Sequence, residues 1–440
     1  MRRLVLGSAF AVALTLFLGS LAARAFAQEP KPPEKAGEKE KEKGEKKGAT
    51  VDPATGKRLN EAVEHINGQR YGEARASLGK LSLDRLSPYE LSRVEQLYAA
   101  VDQSEGKYGS ARDHLNKAIA SGGLNDQEMS TARFQIAQLF MAENKWKDGV
   151  EALKQWFATT PNPNSAAYHL LAVGYYQLGD FKSALEPAQK AIDLAGGKPQ
   201  ESWLQLLLAL RLEREEYQLA VPILKQLIDS GPAKKNYWIQ LSAVHAQLGS
   251  YEQSVVPLQL SYQAGLLTED QEIRRLAEML ARVTIPYRAA KILSQAIEQG
   301  KIKSDFKAFE LLANCWVAAR EYDKSIPPLR RAAELSDSGE LFLRLAEVYV
   351  QREDWGNTAG AVKLALDKGK LKSPGNAQLL MGLAHYNQKK MNEARTWFER
   401  ARGHGDSRQQ AEAWIGHISG TEALAQSRSE TAAAAPAKAP

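Results

Sequence analysis

The chain has 440 residues, 44% of them hydrophobic and 25% charged, which is ample apolar material for a large folded core. Its formal net charge of +6 falls to +3 if Arg2, Arg3 and Arg24 leave with an N-terminal leader, too weak a balance for a nucleic-acid binder. Cys315 is the only cysteine, so no intramolecular disulfide can form, and its flanks "LLANCWVAA" suit a buried, inert side chain.

Residues 1–27 have the form of a secretory signal: Arg2 and Arg3, an apolar run from Leu4 to about Ala22, then Ala25-Phe26-Ala27. Cleavage is expected after Ala27, with export to a periplasm; the alternative is an uncleaved anchor, because the apolar run is nearly long enough to span a bilayer. No cysteine lies near the cleavage point, which excludes a lipoprotein anchor. Residues 28–54 follow as a Glu/Lys-rich tether, expected to be disordered because 29–50 ("EPKPPEKAGEKEKEKGEKKGAT") have no large apolar residue to bury.

From residue 55 an aromatic-x-x-small step repeats ten times: Tyr71/Ala74, Tyr108/Ala111, Trp146/Gly149, Phe181/Ala184, Tyr217/Ala220, Tyr251/Ser254, Tyr287/Ala290, Tyr322/Ser325, Trp355/Thr358 and Met391/Ala394. The steps are 37, 38, 35, 36, 34, 36, 35, 33 and 36 residues apart, a period that means stacked two-helix units. In "SAAYHLLAVGYYQLGDFKSALEPAQKAIDLAGG" the first helix shows Tyr168, Leu171, Ala172 and Tyr175 on one stripe. Gly179 breaks it, Asp180 caps the second helix, and that helix buries Phe181, Ala184, Ala188 and Ala191.

Pro187, Pro222, Pro257, Pro327 and Pro328 follow the aromatic by five or six residues. Around Pro257 the residues Tyr251, Ser254, Leu258 and Tyr262 keep one helical phase, so the helix is expected to run through the proline with a kink rather than begin at it. Pro161 and Pro232 instead stop a second helix. Residues 407–425 read as a final helix covering the last apolar face, and 426–440 as a disordered tail.

These features specify an all-α array of about ten helix-turn-helix repeats with a C-terminal capping helix. The spacing, the paired small residues and the terminal prolines resemble tetratricopeptide repeats over about residues 55–402, which implies a right-handed superhelical solenoid. Over about 128–402, the runs "NYWIQLSAVHAQLG", "SYQAGLLTE", "IPYRAAKIL", "ELSDSGELFLRLAEVYV" and "KSPGNAQLLMGLAHYN" resemble a family of exported bacterial repeat proteins assigned as components of TonB energy-transduction systems. That resemblance implies a periplasmic, non-enzymatic partner of the machinery that powers outer-membrane transport.

The chemistry of enzymes is not legible here. The seven histidines are scattered, and HExxH, CxxC, GxSxG and GxxxxGK are all absent, so neither catalysis, a metal nor a cofactor is expected. A repeat array offers instead a concave face lined by its first helices. In the register above that face includes Gln96, Phe134, Gln138, His169, Tyr176, Gln205, Ile239, Asn314, Leu343 and Tyr386, a mixture suited to an extended peptide or a partner helix. Glu310 beside Asn314 argues against a groove for a chaperone C-terminal carboxylate. The partners expected are therefore proteins, TonB-system components among them, with no nucleic acid and no small-molecule substrate, and with membrane contact only through an uncleaved signal or through partners. The alternative is a scaffold for peptidoglycan or exopolysaccharide; Tyr168, Trp203, Trp238, Trp316 and Tyr349 offer a sugar-binding ladder in outline, but at helical spacing beside alanine they read as core.

Overall fold

The computed structural model describes residues 51–434. The expected signal peptide, all but the last residues of the tether, and the end of the tail lie outside the described residues. Everything regular within them is helical, and the helices follow one another in pairs.

The described residues up to Glu215 form one compact unit. It holds α1 (Pro53–Asn67) with α2 (Tyr71–Leu78), α3 (Pro88–Ser104) with α4 (Tyr108–Ala120), α5 (Asp126–Ala142) with α6 (Trp146–Thr159), α7 (Ser165–Gln177) with α8 (Phe181–Asp193), and α9 (Glu201–Glu213). The second unit, from Glu216, holds α10 (Tyr217–Ser230), α11 (Lys235–Gln247) with α12 (Tyr251–Gln263), α13 (Asp270–Arg282) with α14 (Pro286–Glu298), and α15 (Phe306–Ala318) with α16 (Tyr322–Leu335). It continues with α17 (Glu340–Gln351) and α18 (Trp355–Lys368), α19 (Pro374–Asn387) and α20 (Met391–Arg402), and ends in α21 (Arg408–Ala434). The first helix therefore begins two residues before the expected boundary at 55. The last runs past the expected boundary at 425, because Thr421, Glu422, Ala423 and the residues after them contain no helix breaker.

One turn joins the helices of every pair. Gln69, Gly106, Asn144, Gly179, Glu215, Gly249, Thr284, Arg320, Glu353 and Lys389 all have left-handed backbones, and the second helix starts two residues later each time. The residue after the left-handed one donates its N–H back to the first helix, as Asp180 does to the Tyr175 carbonyl at 3.0 Å and Ile285 to that of Leu280 at 2.9 Å. This closes the helix end in the manner of a Schellman turn. Asp180 then accepts from the Ser183 N–H at 3.0 Å, the expected cap.

The small residues are buried where expected. Ala74, Ala111, Ala184, Ala220, Ala290 and Ala394 are wholly covered, as are Ser254, Ser325 and Thr358, and Gly149 is buried against Met141. The seventh unit corrects the register by one residue. Its left-handed residue is Thr284, so Pro286 rather than Tyr287 takes the helix-start position and Ala289 rather than Ala290 the close contact; Tyr287 is 48% exposed. The reason is local: proline has its φ preset for the first helical position and lacks only an N–H that would be unpaired there.

Helices α8, α10, α12 and α16 run through their internal prolines. Each proline removes the bond to the carbonyl four residues earlier. Those carbonyls belong to Ser183, Gln218, Gln253, Asp323 and Lys324, and all five residues are exposed. Water can satisfy what the proline leaves open, which is why the same phase is tolerated four times. Pro161 and Pro232 follow the ends of α6 and α10, as expected.

Two chemistries hold the pairs together. Between α2, α3 and α4 a polar network is enclosed: Asp102 is 1% exposed and Glu95 5%. Asp102 accepts from Arg75 and Ser110, while the His114 ring joins Glu95 through Nδ1 and approaches Asp102 at 3.6 Å through Nε2. Arg93 reaches Glu128 and Arg112 reaches Glu143, with the Arg112 guanidinium 4.2 Å from the Phe140 ring centroid. Burial alone would raise Glu143, but Arg112 and Lys145 outweigh it and hold its carboxyl below the usual range. From α12 to α15 the equivalent space is apolar, filled by Leu258, Ile273, Leu276, Leu280, Leu293 and Trp316. Cys315 is buried in this cluster, and burial pushes its thiol up to about 11.

Candidate functional site: the first-helix stripe

First helices touch one another within the units at α1 with α3, α7 with α9, α13 with α15, and α19 with α21, so a stripe is a shared surface across each of those contacts. The left-handed turn fixes its phase. Gln96, Phe134, His169, Gln205, Ile239 and Leu343 each stand ten residues before the turn residue of their own unit; Gln138 and Asn314 stand six before, Tyr176 and Tyr386 three before. Offsets of ten, six and three differ by four and three, so these side chains share one helical face.

In the first unit, His169 is partly exposed and its ring stacks on Trp203 with centroids 5.3 Å apart. Burial pushes its imidazole down to about 4, so the ring is neutral at pH 7, and its Nδ1 is enclosed without a hydrogen-bond partner. Tyr176 lies 5.4 Å from Phe181 between ring centroids, and burial with the Glu213 charge raises its phenol. Gln138 is exposed. Gln96 accepts from Arg93 at 2.9 Å and Gln205 donates to Glu201 at 3.2 Å, so both amides are engaged. Phe134 packs on Trp156 at 4.8 Å in a run of rings that continues through Phe157 to Tyr168, and is more a part of the core than of an open surface.

In the second unit Ile239 and Leu343 are partly buried against the apolar clusters. Asn314 is partly exposed, with its Oδ1 enclosed and unpartnered. Glu310, one turn earlier, is present on the same helix as expected. Tyr386 does not face an open groove: its ring is 5.1 Å from that of Trp414 and its hydroxyl meets His417 Nε2 at 2.9 Å, both on α21. Sequence spacing placed Tyr386 on the stripe face of α19 but could not show that the capping helix lies over it.

The proposed sugar ladder does not form a surface. Trp203 and Trp316 are 7% exposed and Tyr349 4%, while the Trp238 indole donates to the Pro232 carbonyl at 2.8 Å. Among the described residues no group of three His, Cys, Asp or Glu side chains could hold a metal ion, and no helix is long and apolar enough to cross a membrane.

Residues 134–199, from within α5 to beyond α8, match the tetratricopeptide repeat family model. That segment, α7 with α8 and the latter part of α5 with α6, is of the tetratricopeptide-repeat kind. Several solved structures are similar to parts of the chain. The C-terminal part of a tetratricopeptide repeat-containing protein from Cytophaga hutchinsonii is 13% identical, covering 56% of this chain and 98% of its own, with a TM-score of 0.35. A tetratricopeptide repeat protein from Parabacteroides merdae is 14% identical over 58% of this chain and 98% of its own, with a TM-score of 0.30. YrrB, described as a tetratricopeptide repeat protein with an unusual peptide-binding site, is 11% identical over 49% and 96%, with a TM-score of 0.35. Among curated proteins none is similar to the chain in sequence.

Proposed function

We propose that the tetratricopeptide array is an exported scaffold that binds protein partners along its first-helix stripe in the periplasm, as an accessory of the TonB energy-transduction system. The observation that carries the binding reading is the stripe of the first unit. There Gln138, His169 and Tyr176 occupy one face of adjacent first helices, partly or fully exposed, with a neutral imidazole and a phenol on offer rather than a charge. Such a face suits an extended segment or a helix whose aromatic or aliphatic anchors carry the affinity. Export rests on the leader-like residues 1–27, and the TonB assignment on the resemblance of the runs between residues 128 and 402. The burial of Trp203, Trp316 and Tyr349 removes the feature that favoured a glycan scaffold.

The test is in-cell crosslinking from a photoreactive residue at Gln138 and at Tyr176, with Lys182 on α8 as the control position and mass spectrometry of the adducts. TonB, its inner-membrane motor proteins or an outer-membrane receptor captured from the stripe but not from Lys182 is the expected result. Adducts dominated by glycan or by unrelated envelope enzymes would overturn it.

A further inference from the structure

A groove of about 130 Å³ lies between α12 and α14, the second helices of adjacent pairs in the second unit. Gln259 and Gln263 line it from α12, Arg288, Lys291 and Gln295 line it from α14, and the buried Ile292 lies at its base. Arg288, Lys291 and Gln295 are spaced by three and four residues, so they form one face of α14. Both cations are exposed, and among the described residues neither has a hydrogen bond or an ion pair. The next second helix, α16, pairs Lys324 with Glu321 at 2.9 Å and Arg331 with Glu334 at 2.7 Å. No acid is placed to do this on α14: its one carboxylate, Glu298, accepts from Ser294 at 3.2 Å. The one carboxylate of α12, Glu252, stands two turns before Gln259, about 10 Å away along the axis.

The lining is therefore cations and amides with no negative charge, and two like charges one turn apart repel each other until an anion lies between them. The sixth residue of the second helix is Asp113 in α4, Glu151 in α6 and Glu186 in α8, where α14 has Lys291, so the sign is inverted at this position. The α12 edge of the groove is apolar. Val256, Gln259, Leu260 and Gln263 share one helical face, and Val256 and Leu260 are 51% and 47% exposed. A free phosphate would use the cations and leave this aliphatic pair in water. An anionic membrane gains little from two cations, because that attraction accrues weakly with each charge. An amphipathic segment uses both edges: its carboxylates accept charge-assisted hydrogen bonds from Arg288 and Lys291, and its aliphatic side chains cover Val256 and Leu260.

We infer that this groove docks an acidic amphipathic helix of a partner protein, its carboxylates on Arg288 and Lys291 and its aliphatic residues against Val256 and Leu260. The inference rests on the array being a protein scaffold but uses second helices of the second unit rather than the stripe of first helices. Crosslinking at Gln138 and Tyr176 can therefore fail without touching it, and the reverse also holds.

The test titrates the full chain into a fluorescent, blocked peptide with leucine along one helical face and glutamate beside it, and follows anisotropy. The peptide has about 15 residues, near the shortest length at which an isolated helix persists. Expected is saturable binding, with the glutamine counterpart of the peptide weaker by about tenfold for want of charge-assisted bonds. Arg288→Glu combined with Lys291→Glu should abolish binding, and Val256→Gln should weaken it by about threefold. All three positions are exposed, so the melting temperature should not change. Absence of saturation, equal binding of the glutamine peptide, or undiminished binding to the folded double variant would overturn the inference. Binding of phosphatidylglycerol vesicles or of inorganic phosphate in place of the peptide would also overturn it, as the marks of a membrane surface and of a free-anion site.

Discussion

The network around Asp102 and the cluster around Leu280 occupy the same place in their respective repeats, and they are held by opposite chemistry. Around Asp102, carboxylates, guanidinium groups and a histidine are enclosed together and satisfy one another. Around Leu280, leucine, isoleucine and alanine side chains do the work with no charge inside. The backbone turn and the small-residue contact are the same in both. A helix pair of this chain thus needs a close helix contact and a closed turn, while the remaining space can be filled in either way. The difference lies in how each fails: an apolar cluster loses contacts in proportion to the atoms removed, whereas an ionic network loses its compensation all at once.

The largest expected effect follows from that distinction. Asp102→Ala leaves Arg75 and His114 without their shared carboxylate and should cost about 3–5 kcal/mol, with hydrogen exchange accelerated in α1 to α4 and unchanged in α12 to α15. A loss below about 1 kcal/mol in urea unfolding would show that the network is surface decoration. Leu280→Ala should cost about 2–5 kcal/mol with the converse exchange pattern. If either substitution speeds exchange throughout the chain, the contrast between the regions has no energetic content.

Acid should act on the first unit through His169. Its folded-state value near 4 lies below the ordinary 6.5, so the unfolded chain binds the proton more tightly. The contribution is present in full above about pH 6.5 and is lost as pH falls toward 4, by about 3 kcal/mol in all. Comparing stability against pH for the parent chain and for His169→Gln checks this; parallel profiles would show that the ring titrates normally.

The smallest effects belong to the turn that both regions share. Thr284 is β-branched and holds φ at 61°, a conformation that costs an ordinary residue about 1–2 kcal/mol. Thr284→Gly should raise stability by about 0.5–1 kcal/mol after the entropy cost of glycine, and Gly179→Ala, at φ 74°, should lower it by about 1–2 kcal/mol. Opposite signs at equivalent positions, read from melting temperatures, are the expected outcome.

The repeat and its pairing were legible in the sequence because they depend on short-range pattern. The aromatic-x-x-small step marks the start and the buried face of each second helix, and the persistence of helical phase across Pro257 was enough to carry α12 through it. Tyr287 misled because an aromatic next to a proline offered two registers one residue apart. Both look alike in a period, and only the left-handed residue at Thr284 selects between them. The stripe was legible as a helical face, but Phe134, Gln96 and Gln205 are tied up by Trp156, Arg93 and Glu201.

Periodicity by itself therefore determined that this chain is an array of helix pairs, where each second helix begins to within one residue, and which side of each helix is buried. Those are properties of residues a few positions apart on one helix. Tertiary structure alone decided that α21 covers Tyr386 and that carboxylates near Asp102 are enclosed with their counter-charges. Each of these joins residues from two or three different helices. Their proximity is fixed by packing across repeats, which leaves no mark in the spacing along any one of them.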